Sequence, residues 1–390
     1  MDDEFGDIRL SVSKICAEFG HDYWRALDKD KAYPEAFVKA LTESGYLAAL
    51  IPEAYGGAGL PLRAAAVILE EIHKSGGNAA ACHAQMYIMG TILRHGSEAQ
   101  KQQYLPQIAT GALRLQAFGV TEPTSGTQTL ALRTTATKTD GGYIINGQKI
   151  WTSRAEHSDL MLLLARTTPS QDVTDKGKGL SVFLLDMRQL HGKGLTIKPI
   201  DTMINHATTE VFFDDVFIPD EALIGNEGDG FSYILSGMNA ERILIAAECI
   251  GDAKWFLQTA SQYATDRTLF GHAIGANQGV AFPLAKAYAH MVAAEAIVDK
   301  AARLYDEGRS HALEANMAKM LAADASREAG EACLQTHGGF GFASEYNVER
   351  KFRETRLYQI APISTNMILA FIAEKALGLP KSYGPEKNKK

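Results

Sequence analysis

LRTTATKTDGGYIINGQKIW, residues 132–151, is the stretch on which the fold turns. Through LRTTATKT small or apolar side chains alternate with polar ones, the period of two expected of a strand covered on one face. Asp140-Gly141-Gly142 then offers residues that tolerate a tight turn, and Asn146-Gly147 reads as a second hairpin turn. Further runs rich in branched and aromatic residues follow: DLMLLLA at 159–165, LSVFLLD at 180–186 and EVFFDDVFI at 210–218. Strands spaced so closely, with no helical stretch between them, predict an antiparallel sheet domain over residues 113–226.

On either side the periodicity changes. From Phe5 to about Ile108 apolar residues recur at helical spacing, interrupted by IPEAYGGAGLP at 51–61, whose three glycines and two prolines punctuate the pattern. After IGNEGDG at 224–230, alanine-rich helical periodicity resumes almost to the end of the chain. Long apolar stripes such as Ala285, Tyr288, Ala289, Val292 and Ala296 suggest a bundle. The expected class is α+β: a helical domain over 1–112, a β domain over 113–226 and a C-terminal helical bundle over 227–390.

Composition narrows the function. The 390 residues are 46% hydrophobic with a net charge of -7, which argues against nucleic acid or an anionic membrane as partner. No stretch approaches the roughly 18 consecutive apolar residues of a membrane span. Four scattered cysteines form no CxxC pair, and no two of the eleven histidines are closer than ten residues, so neither a disulfide framework nor a helical metal motif is indicated. The acidic start MDDEFGDI lacks the features of a signal or transit peptide, and a reducing, cytoplasmic location is expected. GxGxxG after a strand, GxxxxGK[ST] and GxSxG are all missing, which sets aside Rossmann, P-loop and nucleophile-elbow chemistry and leaves an organic cofactor as the route to any redox function.

MNAERILIAAE, residues 238–248, places a carboxylate inside an apolar helical stretch. Met238, Glu241, Arg242, Ile245 and Cys249 fall on one helical face. An acid there is either compensated by a neighbouring cation or employed in chemistry.

Several motifs in register resemble the acyl-CoA dehydrogenase superfamily. They are TEPTSG at 121–126, GQKIW at 147–151, DRTLFG at 266–271 with Gln278 downstream, and QTHGGFGFASEYNVERKFRETR at 335–356. IPEAYGGAGL and EAQKQQYLPQIATG at 98–111 match as well, so the resemblance spans nearly the whole chain. It implies a dimer of dimers, FAD as cofactor, an acyl-CoA substrate and electron-transfer flavoprotein as acceptor. By that resemblance Phe118, Val120, Thr121 and Thr127 lie along FAD, Trp151 packs near the isoalloxazine, and Ser153 meets flavin N5. Arg267, Thr268 and Gln278, with Gln335, Gly338 and Gly339, match positions reaching the adenine and pyrophosphate of a neighbouring subunit's FAD, and Ser364 and Asn366 join the cofactor-binding set.

Two departures from the family pattern stand out. Thr127-Gln128 replaces Ser-Asp, keeping the hydroxyl, and in QIAPISTN at 359–366 Pro362 occupies the slot where many members carry a catalytic glutamate. Relatives resembling isovaleryl-CoA and long-chain dehydrogenases place that carboxylate in a Glu-Arg pair on the first C-terminal helix, a pattern that Glu241-Arg242 matches. Glu241 is thereby the expected base, with Arg242 and Asn239 on the substrate side. Proline also removes a main-chain donor that family members aim at the thioester oxygen, leaving Ile363 N–H or a flavin ribityl hydroxyl to serve. The expected activity is α,β-desaturation of an acyl-CoA in fatty acid β-oxidation; a flavin monooxygenase or a nitroalkane oxidase-like enzyme is the alternative on the same fold.

Overall fold

The computed structural model describes residues 3–382. By its internal contacts the chain forms two compact units, one of Met1–Arg25, Leu62–Gly77 and Asn239–Lys390, the other of Ala26–Pro61 and Asn78–Met238. Eleven α-helices occur among the described residues: α1 Gly6–Glu18, α2 His21–Asp30, α3 Glu35–Glu43, α4 Leu62–Lys74, α5 Ala80–His95, α6 Glu98–Ala109, α7 Gly230–Asp266, α8 Gln278–Asp306, α9 Ala312–His337, α10 Val348–Arg356 and α11 Thr365–Lys375. Between α6 and α7 lie strands β1 Leu115–Gly119, β2 Thr135–Thr139, β3 Gly142–Ser153, β4 Leu160–Arg166, β5 Leu180–Asp186, β6 Leu195–Pro199, β7 Thr208–Pro219 and β8 Leu223–Ile224.

In the β-bearing unit the sheet runs β6-β7-β3-β2-β4-β5-β8, with β1 also on β4. Most pairs are antiparallel, as the spacing predicts, but β4 runs parallel to both β1 and β2. That position explains the unbroken LMLLLA run. Leu160, Leu162 and Leu164 pack with Ile88, Ile92 and Leu105 of α5 and α6, while Met161 and Leu163 pack with Ile145, Phe183 and Val211 on the other face. A strand covered on both faces has no polar side to alternate.

The turn at Asp140-Gly141 closes a two-residue hairpin in which Thr139 pairs with Gly142 and Gly141 takes φ +71°. Asn146-Gly147 does not turn the chain. It lies inside the 12-residue β3 as a bulge, where the register against β7 slips between Ile145 and Gly147. The Asn146 side chain accepts from Asp215 N–H and donates to Asp215 Oδ1, both at 2.9 Å. Gly147, at φ +146°, passes so close to Thr134 that a Cβ would stand 2.6 Å from its Oγ1. The dipeptide is thus spent on a bulge and a close backbone crossing.

In the other unit α4 packs on α1 and α8, and α9 packs on α8, α10 and α11. Close helix approach needs small residues, and a Cβ on Gly251 of α7 would run into the Glu70 carbonyl of α4. The stripe Ala285, Tyr288, Ala289, Val292 and Ala296 faces outward, Tyr288 being 58% exposed. The buried face of α8 is instead Leu284, Ala287, Met291, Ala294 and Val298, one position round the helix. Both stripes share the helical period, and burial selects between them through packing that is encoded elsewhere.

Charged groups fill part of this unit's interior. Glu70 accepts from Arg9 (3.1 Å) and Lys254 (2.8 Å). His73 Nδ1 lies 2.8 Å from Asp252, which is also paired with Lys351. Lys351 donates to Gly77 O, and Arg350 to Gly76 O and Glu354. Each ion meets an opposite charge or a carbonyl, as burial demands.

Candidate active site

Within the β-bearing unit, β1 ends in the loop that carries Val120 and Thr121. An internal ion pair holds this loop. Glu122 accepts from Arg133 N–H (2.6 Å), Thr134 N–H (2.8 Å) and Lys149 Nζ (2.9 Å), and Lys149 also donates to Val120 O (3.2 Å). Burial pushes the Glu122 carboxyl up, but Lys149 and the N–H donors outweigh it and hold it below its ordinary range. Lys149 has no solvent exposure, and burial pulls it down to about 8 against the opposing pull of Glu122. Ile150 N–H donates to Thr121 O at 2.9 Å, tying the loop to β3.

Phe118, Val120 and Thr121 are half-buried along this edge, and Thr127 is exposed. Trp151 takes φ +60° and is 56% exposed, Ser153 is half-buried, and Thr152 between them is buried. The edge therefore presents aromatic surface, hydroxyls and strand-end backbone together. These are the groups that hold a flavin ring and donate hydrogen bonds to it, so the residues fit the flavin half of FAD.

In the helical unit Glu241 lies on α7 with 6% exposure, and Arg242, Ile245 and Cys249 of the same face are buried with it. Arg242 Nη1 donates to Asn239 Oδ1 at 2.8 Å. Burial pulls the Arg242 pKa down and the charge of Glu241 raises it. Glu248, two turns on, is enclosed with Tyr358, which donates to it, and with His73 Nε2 at 3.8 Å. The 359–366 loop packs against α9 through Lys319, a fully buried residue whose Nζ donates to Ile363 O at 2.8 Å. Burial pulls Lys319 down to about 8, with Cys249, Arg242 and Glu241 among the charges it feels. Ser364 precedes α11 and is half-buried, while Asn366 in its first turn is exposed.

A second surface of the helical unit collects the remaining positions. Arg267 directly follows α7, and Thr268 sits in a short hairpin whose tip, Phe270, is almost wholly exposed. Gln278 opens α8, Gln335 lies in the last turn of α9, and Gly338 ends that helix at φ +58°. The Arg267 guanidinium lies 5.7 Å from the centre of the Phe340 ring, and His337 stacks on Tyr263 at 4.2 Å, so Arg267 and the 335–340 turn are brought together. Arg267, Thr268, Gln278, Gln335 and Gly339 are exposed. A cation, amides, a hydroxyl and a glycine corner suit a pyrophosphate and an adenine.

Sequence reasoning passed over Lys319, Glu122 and Lys149. The last two stand inside the quoted motifs, where a charged pair in otherwise covered strands was the available signal. Lys319 gives none: it is one cation in an alanine-rich helix, and its partner is a main-chain carbonyl 44 residues away.

Comparison with known proteins matches three family models in order: acyl-CoA dehydrogenase N-terminal domain over residues 2–112, middle domain over 117–216 and C-terminal domain over 228–377. Acyl-CoA dehydrogenase FadE12 of Mycobacterium tuberculosis is 34% identical over 382 residues, covering 96% of each chain. A solved glutaryl-coenzyme A dehydrogenase in complex with glutaryl-CoA superposes with a TM-score of 0.91 at 29% identity, covering 98% of this chain and 97% of the other. A chain solved in work on the electron transferring flavoprotein of Acidaminococcus fermentans gives 0.90 at 30% identity, covering 97% and 98%. The chain belongs to the acyl-CoA dehydrogenase family and is an FAD-dependent enzyme of that family.

Proposed function

We propose that the enzyme α,β-desaturates an acyl-CoA thioester, with Glu241 as the base that removes the α-proton. The observation that carries this reading is the setting of Glu241: nearly buried on α7, with the adjacent Arg242 turned back to Asn239. A carboxylate taken out of water is a stronger base toward a weakly acidic C–H. The loop 359–366 contains no Asp or Glu, so it supplies no rival carboxylate. Glu248 is already engaged with Tyr358. When bound, FAD supplies the hydride acceptor. Phe118, Val120, Thr121, Thr127, Trp151 and Ser153 would hold its ring. Arg267, Thr268, Gln278, Gln335, Gly338 and Gly339, with Ser364 and Asn366, would serve the rest of a cofactor. Arg242 and Asn239 face the substrate, and Lys319 fixes the loop around Pro362.

The outward stripe of α8, with Tyr288 and Val292 exposed, supports assembly into a homotetramer. The acidic composition and the relative solved in work on an electron transferring flavoprotein support electron-transfer flavoprotein as acceptor in a cytoplasmic enzyme. We place domain boundaries near residues 112 and 226.

Anaerobic bleaching of the bound flavin by a panel of acyl-CoAs, run on wild type and Glu241→Gln, tests the proposal. Wild type should bleach with at least one thioester, and the variant at least about 100-fold more slowly, the scale of a lost general base. Equal rates in the two proteins would show that the proton goes elsewhere.

A further inference from the structure

Three charged side chains are closed off around the loop that carries Val120 and Thr121, and their charges do not cancel. Lys149 has no solvent exposure, Glu122 is 4% exposed and Arg166 8%. Arg166, at the end of β4, donates to Leu130 O (2.8 Å) and Leu132 O (3.2 Å) and forms no ion pair among the described residues. The carboxylate of Glu122 is the one opposing charge that reaches either cation. Two buried cations therefore share one buried anion. A charge left uncompensated in an apolar interior is costly unless an electron-rich group sits beside it.

The ion pair is also oriented. Glu122 turns to the backbone at 133–134, accepting from Arg133 N–H and Thr134 N–H, whereas the Lys149 ammonium reaches the Val120 carbonyl at 3.2 Å. Its positive end thus meets the loop. The one cis peptide among the described residues is Ala361-Pro362, so the Val120–Thr121 peptide is trans and its N–H points away from the oxygen that the ammonium holds. That N–H, of Thr121, finds no acceptor among the described residues. A cation on a carbonyl oxygen draws electron density through the amide and makes its N–H a stronger donor, since linked hydrogen bonds polarise one another. Ile150 N–H, donating to Thr121 O at 2.9 Å, fixes the next carbonyl of the loop.

We propose that Lys149 is a positioning residue for the flavin: acting through the Val120–Thr121 peptide, its ammonium strengthens Thr121 N–H as a donor to the ring and favours the reduced, electron-rich state. Charge placed near the ring nitrogens acts on the cofactor's electronics in this way. Burial pulls Lys149 down to about 8, which leaves most of it charged at pH 7. The inference rests on the assignment of Val120 and Thr121 to the flavin made above and adds control of its reduction potential.

The test is the two-electron midpoint potential of the bound flavin at pH 7. Lys149→Met should shift the equilibrium between oxidised and reduced flavin about tenfold toward the oxidised form, which lowers the midpoint by about 30 mV. Glu122→Gln keeps the ammonium and removes the anion, so it should raise the midpoint. Glu122→Gln/Lys149→Met should fall between wild type and Lys149→Met, because the ammonium is the charge bonded to the loop. With no charge stranded, this double variant carries the test even where Lys149→Met does not fold. Opposed shifts are the signature, since both single variants lose stability and a purely structural role would move both potentials the same way. Shifts of one sign, or a double variant at or above the wild-type potential, overturn the inference. In wild type with isotope-labelled threonine, the Thr121 amide signal, identified by its loss in Thr121→Ser, should move when the flavin is reduced. A silent amide removes the flavin assignment and the inference with it, whereas a responsive amide beside unmoved potentials removes the role of Lys149 alone.

Discussion

Replacing Glu122 by Gln should destabilise the β-bearing unit by about 3–5 kcal/mol, the cost of breaking one half of a buried ion pair. The structure shows why the cost sits in that range. Glu122 accepts three hydrogen bonds at 2.6–2.9 Å, two of them from backbone N–H groups, and is the counter-charge of the unexposed Lys149. Glutamine keeps one acceptor oxygen. Its NH2 must then face a donor, Arg133 N–H if the oxygen stays at the Oε1 position, and the ammonium loses its counter-charge either way while keeping the 3.2 Å bond to Val120 O. For a unit of this size each kcal/mol lowers Tm by about 2–4 °C, giving a fall of about 6–20 °C. Calorimetric melting of the FAD-loaded protein reads it directly. Flavin release should accompany the loss, because the same bonds shape the loop carrying Val120 and Thr121. The double variant Glu122→Gln/Lys149→Met removes the stranded ammonium and should melt above Glu122→Gln alone. A single variant within about 2 °C of wild type, or a double variant that loses the sum of both single losses, would refute the reasoning.

Gly147→Ala should lower stability by about 2–5 kcal/mol, through backbone strain at φ +146° and a Cβ forced against Thr134; a melt unchanged from wild type would mean that the bulge relaxes freely. Burial pushes the Glu70 carboxyl up, but Lys254 and Arg9 outweigh it and hold its pKa below the ordinary carboxylate range. Its stabilisation is therefore complete above about pH 4.3 and lost as pH falls through the folded value. Glu70→Gln should accordingly flatten the acid limb of a Tm-against-pH curve between about pH 3 and 5, and parallel curves would contradict this. Lys319→Met removes the bond to Ile363 O, so amide hydrogen exchange across 359–366 should quicken by about tenfold or more; unchanged protection would show that the loop is held by other contacts.

The sheet and the helices were legible because their signals are local. Alternation marked β2, unbroken apolar runs marked β4 and β5, and helical spacing marked both ends of the chain. Asn146-Gly147 misled because turns and bulges draw on the same residues, and only the partner strand decides between them. The outward stripe of α8 was equally periodic with the inward one, so the choice lay with α4 and α9. Motif resemblance located the residues around Trp151, Glu241 and Arg267. Lys319 and Arg166 could not be read, since each joins segments tens of residues apart through partners that carry no motif.

The polar cluster joining His73, Asp252, Lys351 and Glu354 acts on alignment as well as on stability. Alanine-rich helices offer one another smooth surfaces, and sliding one past its neighbour by a turn would exchange small contacts for similar ones at little loss. Asp252 lies between His73 of α4 and Lys351 of α10, so such a slip would strand the buried Asp252 carboxylate and Lys351 ammonium in apolar surroundings. Misaligned packings are therefore rejected during assembly by electrostatic penalty. A chain with apolar isosteres at these positions should stay compact yet show several sets of methyl resonances in place of one.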